Sequence, residues 1–257
     1  MRSKLLRNPG RVTSWPLVIC LFAASLAVAA NYNEGGMRDN PKVSEHSLPT
    51  VTALRLTEKP DADGFPQKSA WETAPPVRFD QDWQGQNADA GRATEVRLLW
   101  TPETLFLRFL ANYRDLNLYL DAREDGWRDK LWDRDVAETF LQPDSSDPLK
   151  YKEFEVAPNG FWIDLDVSHG AIQELYSKLR RRVVQNSSAK TWTAELAIPM
   201  RSLTSSFDPN HPWRVNFYRI EGKTEPRFYS AWSPTYSPQP NFHVPAAFGR
   251  LTFRDMK

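Results

Sequence analysis

The sequence predicts an all-β fold, a single domain built as a two-sheet antiparallel β-sandwich of jelly-roll or immunoglobulin-like type. Short segments with apolar residues at every second position recur from about Thr50 onward, and Pro, Asn, Asp and Gly punctuate them. Only "GAIQELYSKL", from Gly170, has the pattern of a helix. A sheet with one apolar face must cover that face, and a second sheet is the economical cover.

Residues 1–30 read as a cleaved signal peptide. Arg2, Lys4, Arg7 and Arg11 form a basic head, "PLVICLFAASLAVAA" is apolar, and Ala27 and Ala29 suit a signal peptidase. The apolar run is shorter than the roughly 20 residues that cross a bilayer, so no membrane span is expected after cleavage and the protein is expected to be secreted or periplasmic. Cys20 is the single cysteine, and Leu17, Val18 and Ile19 before it lack the small residue that precedes a lipid-modified cysteine. The exported chain would then hold together without disulfides, by burial alone. Residues 31–49 are polar and read as a flexible linker; residues 50–257 are ample for one core.

Within that domain, Val96, Leu98 and Trp100 of "TEVRLLW" share a strand face. Leu105, Leu107, Phe109 and Ala111 of "TLFLRFLANY" do the same, as do Trp192, Ala194, Leu196 and Ile198 of "TWTAELAIP". Trp71, Trp100 and Trp192 are therefore expected to pack in the core.

Charge excludes some partners. The chain has 33 basic and 32 acidic residues, and four of the basic ones lie in the leader, so the domain is slightly acidic. Nucleic acid needs a concentrated basic surface, and "KLRRRVV" from Lys178 is too short to supply one; it reads as a solvated strand end. His46, His169, His211 and His243 lack zinc-site spacing. Asp125, Asp129, Asp133 and Asp135 offer oxygen ligands without the spacing of a known calcium loop. There is no glycine-flanked serine elbow and no phosphate-cradling glycine loop. Asn186 with Ser188 forms a glycosylation acceptor pattern.

Two features of "LWDRDVAETFLQP", from Leu131, stand apart. Trp132 lies in a stretch too polar to be a buried strand, which leaves it either as a stacking face for a sugar ring or folded back on the core. Glu138 shares a strand face with Val136 and Phe140, where a carboxylate needs a partner or a cleft. It could accept from sugar hydroxyls, pair with Arg219 or act as a general acid. Glu153 and Glu155, in "YKEFEVAP", share the face opposite Phe154 and Val156.

Taken in order, "DADG" with "AWETA", "TEVRLLW", "TLFLRFLA", "LWDRDVAETFLQP", "YKEFEVAPNGFWIDLDV", "TWTAELAIP", "WRVNFYRI" and "FHVPAAFGRLTF" resemble the family 9 carbohydrate-binding modules, within the DOMON-like sandwiches. The resemblance implies a non-catalytic β-sandwich that holds a sugar between two aromatic rings, with structural calcium in some members. By that likeness Trp132 is the first ring and Phe242 the second, standing where the family has tryptophan. Glu138 is an acidic acceptor, Glu155 replaces a basic contact, Gln239 replaces an asparagine, and Tyr218 is a further polar contact.

The implied function is capture of a glucan- or xylan-type polysaccharide in support of its catabolism, serving a glycoside hydrolase or an uptake system, with no catalytic residues. The alternatives are an enzyme using Glu138 with Glu153 or Glu155, and a haem-binding relative with Met200 and His169 or His243 as axial ligands. A module that kept the fold and lost the sugar is the third.

Overall fold

A computed structural model describes residues 48–255. The signal peptide, Cys20 and nearly all of the 31–49 linker lie outside the described residues. The strands are β1 (Thr50–Arg55), β2 (Val77–Phe79), β3 (Thr94–Trp100), β4 (Thr104–Asn112), β5 (Val136–Gln142), β6 (Lys150–Val156) and β7 (Trp162–Ser168). They continue with β8 (Ala171–Glu174), β9 (Arg180–Asn186), β10 (Thr191–Pro199), β11 (Trp213–Glu221), β12 (Phe228–Ala231) and β13 (Gly249–Arg254). Two short helices accompany them, α1 (Lys68–Thr73) and α2 (Met200–Leu203).

The expected all-β class holds, with a different sheet arrangement. One hydrogen-bonded path runs β8-β7-β6-β5-β11-β13-β1-β3-β4-β10-β9, with β12 and β2 attached to β11 and β3. The sheet is mixed rather than wholly antiparallel, because β1 runs parallel to both β13 and β3. A parallel neighbour needs a crossover connection, and the segment carrying α1 and β2 supplies it between β1 and β3. With β1 at the seam the ladder passes unbroken from one half to the other, and the sheet curls on itself in a form compatible with a sandwich.

The main core lies inside the curl. Val96, Leu98, Leu107, Phe109, Trp192 and Ala194 from one arm meet Ala137, Leu141, Phe154, Val156 and Phe217 from the other. Phe109 and Phe217 touch edge to face at 6.3 Å. The strand faces expected from alternation are the faces that pack, and Trp100 and Trp192 are buried there. Trp71 is buried too, in a smaller cluster with Leu99 and Phe106 on the reverse of β3 and β4.

The helix expected from Gly170 is absent; Ala171–Glu174 forms β8, which pairs with β7. Ser168 and Ala171 are partners, so His169 and Gly170 make a two-residue turn, and their φ values of 52° and 81° are those of a type I′ hairpin. The turn returns the chain along β7, and this pairing outweighs the helical preference of the sequence. Tyr176 and Lys178, at φ 55° and 61°, then break any continuation. The basic run from Lys178 enters β9, where Arg182 pairs with Asp61 and Glu195.

Candidate binding site

The face of β5, β6, β7 and β11 turned away from the main core carries a second cluster. Strand register sets two adjacent rows across it: Tyr218, Glu138, Glu155 and Ile163, then Asn216, Phe140, Glu153 and Leu165. Alternation sends Phe154 and Val156 to the main core, so Glu153 and Glu155 must emerge here.

The connection from β12 to β13 folds over this face and delivers Phe242 and Phe248. Phe242 lies flat on Tyr218, with ring centroids 4.2 Å apart and planes at 11°. The Tyr218 hydroxyl donates to the Phe242 carbonyl at 3.0 Å and accepts from Asn216 Nδ2 at 2.7 Å. At the other rim Trp132 sits, half-buried, in the one-turn 3-10 segment Leu131–Asp133. Arg227 holds that turn by donating to the Trp132 carbonyl at 3.1 Å.

Between these rims is a cavity of about 260 Å³, bounded by Trp132, Tyr229 and Phe242, with Phe140 and the carboxyl groups of Glu138 and Glu153 also in its wall. Glu155 stands behind them. One carboxylate oxygen from each of Glu138, Glu153 and Glu155 lies within 4.8 Å of the others, and the three residues are 2 %, 3 % and 1 % exposed. Glu138 Oε1, Glu153 Oε2 and both oxygens of Glu155 are buried without a hydrogen-bond donor.

Burial pushes the Glu138 carboxyl well above the usual range, the neighbouring Glu153 adds to the rise, and Arg227 opposes it. Glu155 is raised well by burial and by both neighbouring glutamates. Glu153 is raised by burial, with His243 opposing, and the closeness of Glu153 and Glu155 lowers the first while raising the second.

The six residues expected from sequence fare differently. Trp132, Glu138 and Phe242 meet at the cavity, and Glu155 joins the group from beneath. Tyr218 does not reach the cavity: it is fully buried, with its hydroxyl engaged, and it supports Phe242 from behind. Gln239 is exposed, and Asn241 takes the lining position. Arg219 cannot pair with Glu138, because β11 register places Tyr218 opposite Glu138 and turns Arg219 to the other face. There Arg219 donates to the Asn112 carbonyl at 2.6 Å and lies over Trp192, and burial lowers its pKa to about 10.

Sequence reasoning passed over Asn241, Tyr229 and His243 as lining residues. His243 is held by its Nδ1 contact with the Tyr151 hydroxyl at 2.7 Å. The signal available was proximity to Phe242 in the chain, which marks the whole stretch 240–243 as rim.

Among the described residues, Asp125, Asp129, Asp133 and Asp135 do not bring three side-chain oxygens together. Asp125 and Asp129 accept from the nearby Trp127 and Lys130 amides, Asp133 accepts from Tyr119, and Asp135 is buried against the Gly222 amide. The haem arrangement is not assembled either: Met200 packs in the main core, His169 pairs with Asp147 at the surface, and His243 is at the cavity rim. Glu138, Glu153 and Glu155 stand on one face of the adjacent strands β5 and β6.

Residues 93–253 match the family model described as carbohydrate-binding family 9. A curated protein of Arthroderma benhamiae named "Extracellular protein" is 25 % identical over 178 residues, covering 62 % of this chain and 78 % of its own length. A Bacteroides uniformis structure, solved as a candidate carbohydrate-binding protein, superimposes with a TM-score of 0.65 at 18 % identity, over 80 % of this chain and 100 % of its own. A family 9 carbohydrate-binding module of Caldicellulosiruptor kristjanssonii is also similar. It was solved with cellotriose, at TM-score 0.56, 11 % identity and coverage of 81 % and 95 %. The same module was solved with glucose, at TM-score 0.56, 12 % identity and coverage of 81 % and 97 %. At these identities the likeness of the solved structures is one of fold.

Proposed function

Because the chain belongs to carbohydrate-binding family 9, we propose that it is an exported, non-catalytic protein that captures polysaccharide by enclosing one sugar unit in the cavity beside Trp132. The observation that carries this reading is the cavity itself: about 260 Å³, walled by aromatic rings and by carboxyl oxygens that lack donors. A pyranose suits such a site, since its C–H face covers an aromatic ring while its hydroxyls donate outward.

Trp132 and Phe242 supply the apolar faces and Glu138 accepts a sugar hydroxyl, with Glu155 behind it. Phe242 has one face occupied by Tyr218, so it works as a buttressed wall with only its far side open. The ligands in the complexes of the Caldicellulosiruptor module, cellotriose and glucose, support a glucan-type sugar, and a xylan-type chain has the same stacking surface. Export is supported by the basic and apolar pattern of residues 1–30 and by the name of the Arthroderma relative. On this reading residues 31–49 tether the domain, and the captured chain is passed to a glycoside hydrolase or an uptake system.

Titration calorimetry against cello-, xylo- and manno-oligosaccharides, comparing the parent with Trp132→Ala, tests the reading. A saturable heat weakened about tenfold or more by the substitution is expected from loss of one stacking face. Equal binding by the two proteins would remove Trp132 from the site.

A further inference from the structure

We propose that the ligand of this cavity is a cationic amino sugar, a pyranose whose primary ammonium group is received by Glu138 and Glu153, with Glu155 beside them. The proposal rests on the sugar-binding reading above and names the ligand class.

A neutral sugar needs a few acceptors, and one ionised carboxylate with its several lone pairs serves well. Here three carboxyl groups lie together, each at least 97 % buried, two of them in a wall that is otherwise mostly aromatic and aliphatic, with Asn241 and His243 at its rim. Among the described residues none of the three forms an ion pair. The nearest guanidinium, Arg227, is committed to the Gly222 and Trp132 carbonyls and to Asp135 at 3.6 Å. Lys152, between Glu153 and its neighbour on β6, points to the opposite face and pairs with Asp166 at 2.8 Å. The group thus has no ion-paired lysine or arginine among the described residues, and His243 is the basic side chain beside Glu153; burial favours the neutral carboxyl form until a ligand brings a counter-charge.

The spacing of the carboxylate oxygens accommodates an ammonium group. An ammonium nitrogen donates three hydrogen bonds of about 2.8 Å in near-tetrahedral directions, which sets its acceptors roughly 4.6 Å apart. The three carboxylate oxygens lie within 4.8 Å of one another. A calcium ion wants six to eight oxygens at about 2.3–2.6 Å; besides the glutamates the wall has the polar side chains of Asn241, His243 and Tyr229 among Phe140, Leu165, Ile220 and Phe242. The cavity of about 260 Å³ also has room for a ring attached to the charge. Aromatic faces at Trp132 and Tyr229 favour both the sugar C–H surface and a nearby cation.

The test is a matched set of β-1,4-linked oligomers that differ only at C2: glucosamine, N-acetylglucosamine and glucose. Calorimetry on the purified protein should show the glucosamine oligomer bound at least about tenfold more tightly than either other, as charge-assisted bonds require. Glu138→Gln and Glu153→Gln should each shrink that ratio toward one. These near-isosteric changes remove buried charge, and a parallel melting curve verifies that each variant is folded; the parent's own selectivity needs no variant.

Equal or tighter binding of the glucose oligomer would overturn the ammonium proposal while leaving the sugar reading standing. No heat with any of the three would remove both. A calcium-induced rise in melting temperature that Glu138→Gln abolishes, with no preference for the amino sugar, would replace the ammonium with a metal ion and so also overturn it.

Discussion

Glu138 and Glu155 are direct partners across the β5–β6 ladder, both about fully buried and neither bonded to a positive group. Like charges placed opposite one another on adjacent strands destabilise a sheet. Both carboxyl groups have folded pKa values raised above the unfolded ones. Groups raised in this way stabilise fully below the unfolded value and lose that stability as pH climbs through the folded value. Glu155→Gln should therefore raise the melting temperature at pH 8 by several degrees, from about 1–3 kcal/mol of relieved desolvation and repulsion. The gain should vanish near pH 4, and melting curves across pH 4–8 read it directly.

Asp135 adds a second acid-side dependence. Burial raises its pKa to about 6 from 3.8, against opposing hydrogen bonds from the Gly222 and Asn117 region. By the same sign rule, stability is lost between about pH 4 and pH 6, with an upper bound of about 3 kcal/mol for a shift of about two units. Asp135→Asn keeps an oxygen for the Gly222 amide and should flatten that segment of the profile, measured by urea denaturation at each pH.

Tyr218→Phe tests the buttress behind the cavity. The change removes a hydroxyl that bonds both Asn216 and the Phe242 carbonyl. It should cost about 1–2 kcal/mol in urea denaturation, the usual cost of leaving buried groups unpaired. Sugar affinity should fall with it in calorimetry, although Tyr218 lines no part of the cavity.

Gly170→Ala should cost about 1–2 kcal/mol through backbone strain alone, because φ there is 81° and no atom lies within 4 Å of an added Cβ. Thermal melting measures it. Were the segment helical as its local pattern suggests, the same substitution would stabilise.

These cases indicate what sequence can and cannot carry. Period-two alternation placed Val96, Leu107 and Trp192 correctly, because each strand's inner face is a local property. It also put Glu153 and Glu155 on one face. Register between distant strands is not local: Tyr218, rather than Arg219, stands on the Glu138 face only because β11 pairs with β5 in one particular alignment. The seam at β1 and the fold-over that brings Phe242 onto Tyr218 depend on contacts across much of the chain. The hairpin at His169–Gly170 was written locally, as a turn dipeptide, but competed with a helical pattern of similar strength.

The seam has a mechanical side. Thr50–Leu54 of β1 run parallel to Arg250–Arg254 of β13 in one continuous register. Force applied between the start of β1 and the end of β13 pulls those strands along their length in opposite senses, so the ladder is loaded in shear and its hydrogen bonds resist together. A peeling geometry would break them one after another. A domain anchored through the start of β1 and pulled from the end of β13 would load this ladder in shear.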